Sequence, residues 1–305
     1  MDSALLLDLL ASTLRLATPL IFCALAGVLA ERAGVIDIGL EGKMLFAAFA
    51  AAAVGVTTQS TTLAMLAAIA LAIALSCLHG FACVTYHGNQ VISGLAINII
   101  AAGLTVVLGI AWFAQGGQTP PVIDAVRLKA VTHIPLLAHN VLVYVALALV
   151  AAVWWLLFRT RLGLRLRAVG ENPAMVDAAG VSVSRVRYLA LVGNGALCGL
   201  AGCYLVLAQN AAFAPHMTAG RGFMALAAMI FGKWHPVGAL WACLLFGFLD
   251  AASIRLQGTK LPGLGEVPVQ LIQALPYLLT VVLLAGFIGK ATAPKALGSP
   301  YIKTR

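Results

Sequence analysis

Residues 171–180 read Glu-Asn-Pro-Ala-Met-Val-Asp-Ala-Ala-Gly, and both ends of a short helix are written into them. The Asn172 side chain can accept a hydrogen bond from an early backbone N–H. Pro173 suits the first helical position, where its missing N–H costs nothing. Gly180 can take the left-handed position just past the end. Glu171 and Asp177 make the helix polar, while Met175, Val176 and Ala179 give it an apolar strip. A helix of about two turns is unstable alone in water. It must pack on its own protein or serve as a docking peg for a partner, gripped by polar contacts and one close apolar contact.

A second set of residues carries hydrogen-bonding chemistry inside otherwise apolar runs: Asn89, Gln90, Ser93 and Asn98, then Asn194, Gln209 and Asn210. Amides and hydroxyls among apolar walls can receive a polar solute. The same groups can tie one helix to another. Ser93 and Asn98 are five apart and lie on different sides of a helix unless it is broken. Gly39 and Gly42 would permit breaks that expose backbone groups to a cavity. Three charges, Asp37, Glu41 and Arg221, fall near or within apolar runs, where charge is costly and functional.

Other chemistry has no apparatus. No GxxxxGK[ST] loop is present: Lys43, Lys233 and Lys290 follow Gly but precede Met, Trp and Ala. Neither HExxH nor GxSxG occurs, and the six histidines are scattered, His79 alone in an apolar run. The six cysteines, Cys23, Cys77, Cys83, Cys198, Cys203 and Cys243, read as reduced core residues. No enzyme activity, bound cofactor or metal is expected of this chain.

The composition says what must position these residues. Of 305 residues 62% are hydrophobic and 10% charged, with mean hydropathy +1.01. A soluble domain carries roughly 25% charged residues. A polytopic α-helical membrane protein remains, with a ceiling near nine spans at ~20 apolar residues each. The net charge of +9 marks cytoplasmic loops, not a nucleic-acid surface. Arg159, Arg161, Arg165, Arg167, Arg185 and Arg187 concentrate it in one loop, and Lys290, Lys295, Lys303 and Arg305 in the tail.

Apolar runs predict spans at Leu5–Leu29, Gly42–Val56, Leu63–Thr85, Val91–Phe113, Val141–Phe158, Tyr188–Leu207, Phe223–Gly232, Val237–Ile254 and Val269–Ile288. Gly42–Val56 and Phe223–Gly232 are short for a ~30 Å core and read as half-helices or parts of broken spans. With the Arg loop inside, the 114–140 connection and the N-terminus lie outside, while Ala30–Glu41, the turn at Lys233 and the tail lie inside. No cleaved signal peptide is expected. The fold expected is all-α and polytopic, about eight to ten transmembrane helices in one membrane domain over 1–305, with a cytoplasmic loop at about 159–187.

Gly39–Phe49 also echoes Ala219–Met229: Gly42 aligns with Gly222, Met44 with Met224, Ala47 with Ala227 and Ala48 with Ala228. The two run in opposite senses, as in an inverted repeat. Glu41 and Arg221 fall at aligned positions, either near a shared cavity on the pseudo-symmetry axis or separately hydrated at an interface.

Four ordered blocks resemble one family. ERAGVIDIGLEGKML (31–45), GNQVISGLAINI (88–99), AVGENPAMVDAAG (168–180) and TAGRGFMALAAMIFGKWHPVGAL (218–240) are similar to segments of the branched-chain amino acid/simple-sugar permeases of ABC importers, nucleoside-type. The resemblance covers nearly the whole chain. Asp37, where Asn is more usual, and Lys43, where an uncharged residue is, depart from it. A carboxylate at 37, if on the pathway, would alter substrate preference.

The resemblance implies a permease subunit in the bacterial plasma (inner) membrane, most simply for nucleosides. Its partners would be cytoplasmic ATPase subunits that use ATP and Mg, a second permease chain (a paralogue or a second copy), an extracytoplasmic substrate-binding protein and membrane lipid. Glu171, Asn172, Pro173, Met175, Asp177 and Gly180 would couple to the ATPase. Asp37, Glu41, Asn89, Gln90, Ser93, Asn98, Gln209, Asn210 and Arg221 would line the substrate pathway. Sugar or branched-chain amino acid permeases share the fold. An ion-driven carrier using Asp37, Glu41 and Asp250, or a non-transporting scaffold, is a reading of another class.

Overall fold

The computed structural model describes residues 3–131, 138–256 and 292–303, with isolated positions at 260, 261, 265, 266, 274 and 278. Its helices are α1 (Ser3–Arg32), α2 (Leu40–Thr58), α3 (Thr61–Gly80), α4 (Gln90–Phe113), α5 (Val141–Arg159), α6 (Arg161–Glu171), α7 (Pro173–Ala178), α8 (Val183–Cys203), α9 (Arg221–Phe231) and α10 (Pro236–Leu256). A π-helical stretch extends α3 over Phe81–Thr85 and another extends α8 over Tyr204–Asn210. Lys260–Leu261 and Gly265–Glu266 form a minimal antiparallel ladder. Among the described residues seven helices are long and apolar enough to cross a membrane, and α9 is a shorter apolar helix. The chain is a multi-pass α-helical membrane protein. The span expected at Val269–Ile288 lies outside the described residues.

The expectation of a half-length second span fails. α2 is a full 19 residues, with Glu41 in its first turn. At its far end the Thr57 and Thr58 hydroxyls donate back to the Ala53 and Val54 carbonyls, at 2.9 and 2.7 Å, so neither leaves its donor unsatisfied. α9 is short, as its sequence suggested: 11 residues, or about 16 Å at ~1.5 Å per residue, half of a bilayer core.

The packing has an internal symmetry. α1 lies against α10 as α8 lies against α3; α2 lies against α8 as α9 lies against α1; α2 touches α3 as α9 touches α10. Exchanging α1 with α8, α2 with α9 and α3 with α10 leaves this pattern unchanged. The partners run oppositely. Arg187, in the first turns of α8, reaches the Ala33 carbonyl just past α1, and Tyr204 beyond α8 donates to the Arg15 carbonyl in the first half of α1. The faint echo between 39–49 and 219–229 is thus one trace of an inverted repeat.

Small residues let these helices approach. The α3 face Ala64, Ala68, Ala72 and Ser76 is fully buried. It meets Gly195 and Gly199, where an added Cβ would sit 2.6 Å from the Ile73 and Ile69 Cα atoms. This is the close small-residue contact that membrane helices use in place of a hydrophobic drive.

Candidate functional site

Two places carry the chemistry anticipated from sequence: a helix projecting at one end, called the peg end, and a polar hub inside the bundle beside it.

The projecting helix is α7. Asn172 Oδ1 accepts from the Met175 amide at 3.2 Å, Pro173 occupies the first position, and Gly180 follows with φ +78°. Val176 is buried and pins the helix to the body, while Met175 is 69% exposed and points away from it. Glu171, Asn172 and Gly180 are exposed; Pro173 and Asp177 are half-buried.

The surrounding 159–187 stretch is not a loop, as expected, but two helices and the first turns of α8. The sequence reading missed α6. Thr160 caps it by accepting from the Gly163 amide at 3.1 Å. Leu166 and Val169 bury beneath it and Leu162 packs beside them, a helical spacing that could have been read beneath the arginines. Arg187 is also not in a loop. It is 1% exposed and donates to the Ala33 carbonyl at 3.3 Å and the Ser299 carbonyl at 3.2 Å. A cation is favoured at that place by the partial negative charge of the α1 C-terminus.

The hub is built on the connection from Ala33 to Gly39. Asp37 and Lys43 form an ion pair at 2.6 Å with both side chains fully buried. Lys43 also donates to Asn194 Oδ1 at 3.1 Å, which takes a further bond from Ser76, while the Asn194 amide donates to the Ala26 carbonyl. The Gly39 amide donates to Asp37 at 3.1 Å. Charges this deep are tolerated only when paired and hydrogen-bonded throughout. The two departures from the family pattern therefore meet and neutralise each other, and Asp37 presents no carboxylate to a pathway.

The polar residues of α4 hold the same connection. Gln90 Oε1 accepts from the Ile36 amide at 2.6 Å. Ser93 Oγ lies 3.0 Å from His79 Nδ1, whose Nε2 is 2.9 Å from the Ile36 carbonyl. A carbonyl can only accept, so Nε2 carries a proton. Asn98 donates to the Ile38 carbonyl at 3.0 Å and accepts from the Gly42 amide at 2.7 Å. Ser93 and Asn98 face different neighbours of an unbroken α4, so no break is needed. Gly42 does not open the backbone: a Cβ there would lie 2.8 Å from Asn98 Cα. Asn89 caps α4, accepting from the Val91 and Ile92 amides. The Gln90 amide nitrogen remains buried without a partner.

Glu41 binds the backbone on either side of Arg221, and among the described residues no ion pair links the two. The Glu41 carboxylate accepts from the Gly220 amide at 2.8 Å and from the Gly222 amide, the two residues flanking Arg221. A Cβ at Gly222 would lie 2.5 Å from the Glu41 Cα, so the starts of α2 and α9 abut. Two positive helix ends converge on one carboxylate. The far end of α9 is fixed at the peg end, where the Trp234 indole N–H donates to Glu31 and Arg32 donates to the Trp234 carbonyl at 2.9 Å.

At the far end a cavity of about 310 Å³ is bounded by Arg15, Asn140, Tyr204, Gln209 and Arg255 among others. The Gln209 carbonyl oxygen is buried there without a partner, and Asn210 beside it is exposed. Thus Gln90, Ser93 and Asn98 gather round one connection, Glu41 and Arg221 lie at the helix junction, and Gln209 and Asn210 lie at the opposite end.

The family model for the branched-chain amino acid transport system permease component matches residues 9–285. The chain is 38% identical to the guanosine ABC transporter permease protein NupQ of Bacillus subtilis, covering 96% of this chain and 95% of that one. It is 36% identical to the nucleoside ABC transporter permease protein NupC of Lactococcus lactis, with 97% of each covered. The glucose ABC transporter permease protein TsgB13 of Haloferax volcanii is 28% identical over 87% of this chain and 74% of that one. Among solved structures, an inward-facing, provisionally identified metal-chelate-type ABC transporter shares the fold at TM-score 0.52 and 16% identity, covering 92% of this chain and 85% of that one.

Proposed function

Because this chain belongs to the branched-chain amino acid transport permease family, we propose that it is the membrane subunit of an ATP-driven nucleoside importer. The observation that carries the substrate class is the near-full-length likeness to two permeases named for guanosine and nucleosides. Cytoplasmic ATPase subunits bind ATP and Mg and dock on α7, with Met175 as apolar knob and Glu171, Asn172 and Asp177 as polar contacts around it. Pro173 and Gly180 fix the ends of the peg. A second permease chain, a paralogue or another copy, completes the pathway, and an extracytoplasmic binding protein delivers substrate. Closure of the ATPase pair pushes α7. Packed helices carry the motion to the junction of α2 and α9, and the bundle rocks between outward- and inward-open states.

Within the pathway the unpartnered Gln90 amide nitrogen and Gln209 carbonyl oxygen, with Asn210 and Arg221, are the groups left to touch solute. Asn89 and Asn98 are spent on holding backbone, Asp37 on Lys43 and the Gly39 amide, and Ser93 on His79. A simple sugar is the second reading, and the likeness to the Haloferax glucose permease favours it.

The test is uptake of labelled guanosine into vesicles holding the permease with its ATPase and binding protein. ATP-dependent uptake that excess nucleoside abolishes and excess glucose leaves intact supports the proposal. Competition by glucose alone moves the substrate to sugars, and uptake without ATPase rejects the importer.

A further inference from the structure

Residues 292–303 run across the peg end and join parts of the chain that are far apart in sequence. The Ala296 amide donates to the Gly170 carbonyl at 2.8 Å, in the last turn of α6 just before the peg. The Gly298 amide donates to the Gly34 carbonyl at 3.3 Å. Gly298 has φ +76°, and a Cβ there would lie 2.8 Å from Ile36 Cδ1. Buried Arg187 bonds the Ser299 carbonyl on one side and Ala33 on the other. Lys303 Nζ lies 3.5 Å from the Asp177 carboxylate on α7. Ala296 is buried, and Leu297 and Tyr301 pack against the core.

The peg end is therefore closed into a triangle. α7 is one corner, the Ala33–Ile38 connection another, and this strand of chain the side between them. The connection is in turn bonded to α3 through His79 and to α4 through Gln90. Outside this stretch, α7 packs on α6 and α8. A six-residue helix has little stiffness of its own, so a push on it tilts the peg unless a second brace resists. That brace acts at the root of the peg: the Ala296 amide holds Gly170, three residues before Pro173, while the Gly298 amide and buried Arg187 tie the other end of the stretch to the connection. The exposed Lys303–Asp177 pair adds little, as solvent-facing pairs do.

We infer that residues 292–303, clamped by Arg187, are a strut that carries motion of α7 to the Ala33–Ile38 connection. The strut positions; it touches no solute. As a step in coupling, the inference rests on the importer reading above.

The experiment uses the assembled transporter with wild-type permease, with residues 292–305 removed, and with Gly298→Val, which unseats the same stretch by one side chain. Both variants are expected to reach the membrane and retain the ATPase. Uptake per ATP hydrolysed is expected to fall roughly tenfold, within the ~5–150-fold range of ordinary coupling between sites. Hydrogen exchange at the amides of 33–38 is expected to quicken roughly tenfold as local opening becomes easier. Unchanged uptake per ATP, or unchanged exchange at 33–38, in a variant that lacks the seated tail overturns the strut. If the wild-type complex imports no nucleoside, the importer reading fails by itself, and the exchange measurement still decides whether the stretch braces the connection.

Discussion

Each repeat leads into its central helix through an irregular connection, 33–39 before α2 and 211–220 before α9, and the two are held by different means. The first is gripped by side chains from four helices: Lys43 on α2, His79 on α3, Gln90 and Asn98 on α4, and Arg187 on α8. Its one positive φ is at glycine, Gly34. The second has positive φ at three non-glycine residues, Ala211, His216 and Ala219. It is held by backbone bonds to the 114–131 stretch and by two side chains, the Thr119 hydroxyl, which accepts from the Phe213 amide at 3.0 Å, and the Glu41 carboxylate. Uncommon backbone of this kind persists only where its surroundings enforce it, and it gathers at switch regions. The first connection is built as a stiff link, which passes a push on without deforming, and the second as the part that yields.

The sharpest way to break this contrast is to strip the stiff link of one charge. Asp37→Asn leaves Lys43 buried beside a neutral amide, and Lys43→Met leaves Asp37 without its cation. Each should cost ~3–5 kcal/mol, the penalty for orphaning one member of a buried pair. The double variant should recover most of that loss, because neither charge remains. Thermal unfolding of the purified permease, read as a double-mutant cycle, measures this. Additive losses would mean that the pair does not hold the connection.

The yielding connection should respond differently. Glu41→Gln removes the charge from two amide contacts. Hydrogen bonds to charged groups are worth ~1.5–3 kcal/mol, so the stability cost should be smaller than at Asp37. Uptake should suffer more than stability, since the start of α9 loses its one carboxylate clasp. The opposite ranking, with Glu41→Gln the more destabilising and uptake per folded molecule intact, would erase the distinction between the halves.

This contrast was only partly legible in the sequence. Continuous apolar runs show where helices cross, because nothing else makes so much hydrophobic chain soluble in a bilayer. The peg is legible because Asn172, Pro173 and Gly180 act locally, each on backbone within a few residues. The ion pair is not. Asp37 and Lys43 are six apart, a spacing that brings no neighbours together on a helix, and they meet only because the chain turns at Gly39 into α2. Arg187 resembles any arginine of a basic loop until α1 ends beside it. The amides of α4 fit a solute as well as they fit a helix connection, and only the placement of Ile36 and Ile38 decides how they are used. The inverted repeat leaves four matching residues in its central segments but repeats the packing of three helix pairs, because packing needs only that small residues recur, not that they recur in register.

The peg gives the smallest effect on stability and the most telling one on the comparison. Asn172→Ala removes one cap, worth ~1 kcal/mol. Gly180→Ala forces a side chain to φ +78°, a strain of roughly 1–2 kcal/mol, although open space surrounds the position. Glu171→Gln, on an exposed residue, should leave stability within about 0.5 kcal/mol. All three should lower uptake per ATP hydrolysed while the permease still reaches the membrane, because each disturbs the contact and not the bundle. If the first connection is a stiff link, these variants should also leave hydrogen exchange at 33–38 unchanged, unlike loss of the 292–303 stretch. Faster exchange at 33–38 in Glu171→Gln would show that the connection loosens with the peg surface itself and is no stiff link.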